Sequence, residues 1–215
     1  MNQAIQEQPG TKTTERPLYS PGLEGVIAGE SALCQVDEGE AGLRYRGYAI
    51  GDLAKWSRFE EVAYLLLIGH LPTRSELDSF STLLRGHRVL PDPVQRFIDS
   101  LQPGLHPMDV LRTGISLLGL SDPDAQDGSH EANLRKSMRL LSQIPLLIAH
   151  SYRVMSGILP PRQDESRDFA QHLLHLVAGH KDGETGTAMA QALNVSLILY
   201  AEHEFNASTF AARVT

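Results

Sequence analysis

The sequence predicts a mainly α protein with one short β-hairpin near its N-terminus. Three observations carry this. Apolar residues recur at steps of three and four from about residue 52 to the end. Helix punctuation, with Thr or Asp ahead of the periodic runs and Gly or Pro behind them, brackets most of those runs. Alternation with a period of two is confined to residues 24–48, where Leu43 and Tyr45 alternate with Arg44 and Arg46.

In order along the chain, residues 1–17 are dominated by Gln, Thr, Glu, Gly and Pro and are expected to be a disordered tail. Residues 18–215 follow as one structured portion. Residues 26–28 and 33–36 have strand character and lead through the turn cluster 37–40 into residues 43–48. A helix follows Asp52, carries Leu53, Trp56, Phe59, Ala63, Leu66 and Leu67, and stops at Gly69. Thr73 to Glu76 reads as a capping box opening a helix with Leu77, Phe80 and Leu84 on one face. Asp92-Pro93 opens the next, and His106-Pro107 another that reaches Gly119. Residues 131–156 make a long helix that Pro145 should kink, and Pro160-Pro161 bar its continuation. Residues 168–178 form a helix closed by Gly179, and a last one runs from about Thr187 to the end. Between the helix that reaches Gly119 and the one at 131–156, residues 122–129 form a polar loop, the expected site of proteolysis or insertion. Residues 210–215 are still good helix sequence without a stop signal, so the chain is expected to be cut from something longer.

Composition narrows the function. The 215 residues are 41% hydrophobic and 21% charged, which suits one large domain or two small ones. Lys and Arg number 19 against 26 Asp and Glu, a formal charge of -7 with no basic stripe, so no nucleic-acid or membrane-surface partner is expected. The longest apolar runs, such as 63–68 and 195–201, are too short to span a bilayer. Cys34 is the only cysteine, and the N-terminus has neither an apolar signal segment nor an Arg-rich transit pattern. The expectation is a soluble cytoplasmic protein. Dinucleotide fingerprint, phosphate loop, C-x-x-C, H-E-x-x-H and serine elbow are all absent.

Two smaller signals have bland readings. His172 and His175 lie one helical turn apart, but a metal would need a third convergent ligand. The favoured reading sets both at the margin of a leucine core, so no metal is expected. Asn194-Val195-Ser196 and Asn206-Ala207-Ser208 match the glycosylation sequon by chance, inside an apolar helix. The informative stretch is residues 200–210. There an apolar helix suddenly gathers Glu202, His203, Glu204, Asn206, Ser208 and Thr209. Glu202 and Glu204 could hold the His203 tautomer and aim one ring nitrogen at a ligand. Otherwise this is a polar helix end reaching solvent.

This stretch resembles the substrate-histidine motif of the citrate synthase family, D-H-E or E-H-E followed by x-N-A-S-T-F. Residues 22–26 (G-L-E-G-V), 43–48 (L-R-Y-R-G-Y), 69–73 (G-H-L-P-T) with Glu76-Leu77, and 106–113 (H-P-M-D-V-L-R-T) also resemble that family, in its order. The resemblance implies the N-terminal part of a helical large domain, truncated before the small domain. It implies a homodimeric acyltransferase that condenses acetyl-CoA or propionyl-CoA with oxaloacetate, using no metal or cofactor beyond the acyl-CoA co-substrate. By position, His203 matches a histidine that binds oxaloacetate. The family's G-P-x-H-G-G and G-x-G-H-R motifs and its catalytic aspartate lie downstream and do not occur here. No catalytic residue is therefore expected in this chain, and alone it should be inactive; His106 is expected to start a helix. Tyr200 and Glu202 are most similar to the 2-methylcitrate synthase branch. The competing expectation is a non-catalytic truncated module that assembles with a partner subunit or binds a dicarboxylate.

Overall fold

A computed structural model describes residues 29–36, 42–159, 161, 164, 166–179 and 183–214. The expected tail at 1–17, strand at 26–28 and turn at 37–40 lie outside them. The N-terminal hairpin is a three-stranded antiparallel sheet of β1 (Cys34–Val36), β2 (Leu43–Tyr45) and β3 (Tyr48–Ala49). Cys34 pairs with Tyr45 and Val36 with Leu43. Residues 43–48 do not continue as one strand, because Arg46 and Gly47 both take positive φ, 48° and 88°. Such a two-residue turn matches the twist of the strands it joins. The Arg46 guanidinium then donates to the Leu66 carbonyl at 3.2 Å.

The helix expected from Asp52 to Gly69 is two, α1 (Ile50–Trp56) and α2 (Phe59–Ile68). Ser57 and Arg58 between them are extended. Asn194 bridges the break: its Oδ1 accepts from the Phe59 N–H at 2.8 Å and its Nδ2 donates to the Ser57 carbonyl at 3.2 Å. These backbone groups would otherwise be buried without partners. α3 (Arg74–Gly86) opens on the expected box, the Glu76 carboxylate accepting from the Thr73 N–H at 2.7 Å. α4 (Asp92–Asp99), α5 (Pro107–Ser121) and α6 (His130–Met155) follow, and α6 runs through a buried Pro145. α7 (Phe169–Ala178) begins with a box between Asp168 and Gln171 and ends at Gly179, as expected. Buried Glu60 accepts from the Phe169 N–H at 2.6 Å. The last helix is also divided, into α8 (Gly183–Leu199) and α9 (Ala207–Val214).

The described residues fall into two compact units, one within Ser31–Glu204 and the other holding residues 29–30 and 205–214. In the first, α6 packs on α3, α4, α5 and α7, and α8 packs on α1, α2 and α7. One core joins Tyr45, Leu53, Val62, Leu65, Phe80, Phe169 and Ile198. A second joins Val94, Ile98, Val110, Leu118 and Leu147. Gly114 lets α5 approach α6 closely, since a Cβ there would lie 2.5 Å from a Leu147 methyl. In the second unit, Asn206 caps α9 by accepting from the Thr209 N–H at 2.9 Å, and the Arg213 guanidinium lies 4.9 Å from the Phe205 ring centre.

The polar loop expected at 122–129 lies between α5 and α6, largely exposed, and α6 holds it by ion pairs. Arg139 donates to both Asp122 oxygens at 2.8 and 2.7 Å and to Asp124 at 2.6 Å. Arg135 donates twice more to Asp124. These guanidinium bonds tie the loop to α6 and hold both carboxyls below the usual range. No helix among the described residues is long and apolar enough to cross a membrane.

Candidate functional site

α8 ends at Leu199, and the chain turns at residues 200–204 around a single buried anchor, the side chain of Tyr45. Its hydroxyl faces the carbonyls of Leu199 at 3.2 Å and Glu202 at 3.1 Å, sharing one hydrogen between them. The same oxygen accepts from the Glu202 N–H at 3.3 Å. Burial raises the Tyr45 pKa, so the phenol stays protonated and keeps its donor.

Glu202 braces the other side of the turn. Its Oε2 accepts from the Glu204 N–H at 2.8 Å. The Cys34 thiol, on the strand position paired with Tyr45, hydrogen-bonds the same carboxylate. Burial first, then Glu202, pushes that thiol up to about 11, which makes it a neutral donor and not a nucleophile. Glu204 holds φ at 57°, a left-handed conformation that is uncommon outside glycine. Such backbone costs on the order of 1–3 kcal/mol and persists only where its surroundings hold it. Here the Glu202 carboxylate does.

His203 lies between these two anchors with its side chain exposed. The expectation that the flanking glutamates orient the ring needs revision. Among the described residues no hydrogen bond reaches the imidazole, and Glu202 holds the backbone of Glu204 and the thiol of Cys34 instead. The glutamate shapes the turn, and the turn presents the histidine. An imidazole held this way can donate one N–H to a carbonyl or carboxylate.

The other singled-out histidines have folding roles. His106 Nδ1 accepts from the Met108 N–H at 3.3 Å and so caps α5, as expected. His70 lies 3.4 Å from Glu76 and meets the Tyr64 ring edge-on, at the junction of α2 and α3. His172 and His175 are buried, not marginal. Burial, then the nearby Arg88 cation, lowers His172 to about 4, and neither of its ring nitrogens has a hydrogen-bond partner. No cluster of three or more His, Cys, Asp or Glu among the described residues is placed to hold a metal. Asn194 is buried and bonded across the α1–α2 break, which removes that sequon as a surface site.

Tyr45 and Cys34 were not anticipated as parts of the site. Alternation in β2 marked Tyr45 as inward-facing, but nothing local says that its hydroxyl meets a carbonyl 154 residues away.

The family model described as "Citrate synthase, C-terminal domain" matches residues 22–215. The chain is 42% identical over 200 residues to a 2-methylcitrate synthase of Shewanella oneidensis, covering 93% of this chain and 52% of that protein. Its fold is similar to the crystal structure of citrate synthase from Pyrobaculum aerophilum, with a TM-score of 0.81 and 30% identity, over 97% of this chain and 55% of that one. It is also similar to a Thermoplasma acidophilum citrate synthase in ternary complex with carboxymethyl coenzyme A and oxaloacetate, with a TM-score of 0.78 and 26% identity, over 90% of this chain and 50% of that one. The chain spans about half the length of the curated relatives it matches.

Proposed function

The chain belongs to the citrate synthase family, and from that premise we propose that it supplies the oxaloacetate-binding part of a cytoplasmic acyltransferase. The reaction joins propionyl-CoA or acetyl-CoA to oxaloacetate and releases CoA. One observation carries this reading: His203 is exposed on a turn whose backbone Tyr45 and Glu202 fix from both sides. Carbon–carbon bond formation moves negative charge onto the oxaloacetate carbonyl oxygen. A positioned imidazole N–H aimed at that oxygen stabilises the transition state more than the ground state.

The base that enolises the thioester and the histidine that meets its enol lie in the half of the family's polypeptide that this chain does not span. Alone, residues 1–215 bind without condensing. Tyr200 and Glu202 resemble the 2-methylcitrate branch, the Shewanella relative is a 2-methylcitrate synthase by name, and together these favour propionyl-CoA. The difference is one methyl, worth only about 1–3 kcal/mol, so acetyl-CoA also reacts.

The test joins residues 1–215 to the downstream segment of the Shewanella relative and measures steady-state kinetics. With the fusion active, His203→Ala lowers kcat by about 10²–10³-fold. It also raises KM for oxaloacetate and changes KM for the acyl-CoA far less. Unchanged kcat and oxaloacetate KM would remove His203 from the site. A folded fusion that condenses neither acyl-CoA would favour the non-catalytic module.

A further inference from the structure

Cys34 on β1 sits directly across from Tyr45 on β2, so both side chains leave the same face of the N-terminal sheet. Both reach the turn at residues 202–204, and they divide it between them. Tyr45 bonds backbone alone, the Leu199 and Glu202 carbonyls and the Glu202 N–H. The thiol takes the glutamate side chain: it donates to the Glu202 carboxylate and accepts from the Glu204 N–H. That N–H also donates to Glu202 Oε2 at 2.8 Å, so thiol, carboxylate and amide close into one cycle. Its amide corner belongs to Glu204, the residue held at φ 57°. His203 is the residue the cycle steps over, and its side chain stays exposed.

We propose that this cycle holds Glu202 away from His203, and that Cys34 is a positioning residue of the substrate turn acting through Glu202. This rests on the reading of His203 given above. Glu202 is the sequence neighbour of His203, and an ionised carboxylate is purely an acceptor. Left loose, it would compete with the anionic substrate for the imidazole N–H. The thiol and the Glu204 amide occupy it instead, and the ring keeps its donor for the ligand. The position asks for a small side chain that donates and accepts at one atom. A thiol does both, a hydroxyl does both, and a methyl does neither. Alanine at residue 34 therefore frees the carboxylate while leaving the backbone pairing of the sheet in place.

The experiment reads the turn in residues 1–215 and the kinetics in the fusion described above. In the chain alone, Cys34→Ala should speed hydrogen exchange at the Glu204 amide about fivefold or more, the loss of one net hydrogen bond to a charged group. Amides inside α6 should keep their rates, and the nitrogen shifts of the His203 ring should show a hydrogen bond gained. In the fusion, Cys34→Ala should raise KM for oxaloacetate about fivefold and KM for the acyl-CoA far less. Cys34→Ser, which keeps a donor and an acceptor, should recover most of each effect. Three results would overturn the proposal: unchanged exchange and ring shifts in Cys34→Ala, a serine variant that behaves like alanine, or a lowered Tm with an unaltered oxaloacetate KM. If His203→Ala leaves the kinetics untouched while Cys34→Ala still loosens Glu204 and shifts the ring, the cycle stands and the substrate role of His203 falls. An inactive fusion leaves the exchange rates and ring shifts to decide.

Discussion

Tyr45 carries more of the site than its distance from His203 in sequence suggests. Its hydroxyl serves three backbone groups of the turn, and a phenylalanine would keep the ring packed while leaving those groups without it. Tyr45→Phe should therefore lower stability by about 1–3 kcal/mol, the usual cost of stranding buried polar groups, read as a lower Tm. In the active fusion it should also raise KM for oxaloacetate, because the turn that presents His203 loosens. A normal Tm with normal kinetics would mean that the turn holds itself. His172 makes a different prediction. Its folded pKa, about 4, lies below that of an ordinary histidine, so the unfolded chain binds the extra proton first as pH falls. Stability from this group is complete above about pH 6.5 and is lost progressively between there and about pH 4. His172→Leu should flatten that part of the Tm–pH curve, and an unaltered slope would assign the acid sensitivity elsewhere.

Helix existence could be read from spacing far better than helix continuity. Thr73–Glu76, Asp168 and Gly179, and His106-Pro107 all mark ends where the structure has them, because each cap is a local exchange within a few residues. The breaks at Ser57–Arg58 and after Leu199 went unread for the opposite reason. They are held by Asn194 and Tyr45, residues more than 130 positions away from the groups they satisfy. The site divides in the same way. The motif singles out His203 as a candidate, whereas nothing local marks the brace around it, and Glu202, read as a partner of the ring, instead holds the backbone of Glu204. Close helix packing was equally silent. Gly114 sits mid-helix, where glycine is normally unfavourable, and its use appears only when Leu147 is placed above it. Gly114→Ala should cost about 1–3 kcal/mol through overpacking, despite the better helix propensity of alanine. Pairing it with Leu147→Val should recover part of that loss in thermal melts. A simple gain in Tm for Gly114→Ala would show that α5 and α6 have room to part.

At the scale of the whole molecule, α5 and α6 leave apolar side chains exposed among the described residues. Met108, Ile148 and Tyr152 on α5 and α6 are each exposed by about two-fifths or more. Contiguous apolar surface of this kind is normally covered, most often by a two-fold partner. The homodimer expected from the family resemblance is accordingly proposed to form there. Met108→Glu with Tyr152→Glu should shift the chain toward monomer in sedimentation at micromolar concentration. An assembly state unmoved by that pair would place the contact elsewhere. The bond between Tyr45 and Leu199 has a further consequence, one of timing. On a ribosome adding roughly 5–20 residues per second, the strand bearing Tyr45 emerges about 8–30 seconds before the carbonyls it will hold, given their separation of 154 residues. Throughout that wait the N-terminal sheet lacks its long-range anchor, and closing so large a loop is entropically slow. The turn at residues 200–204 is thus among the last of the described parts to take shape during synthesis, and a nascent chain stalled before residue 199 would have a Tyr45 hydroxyl without its carbonyl partners.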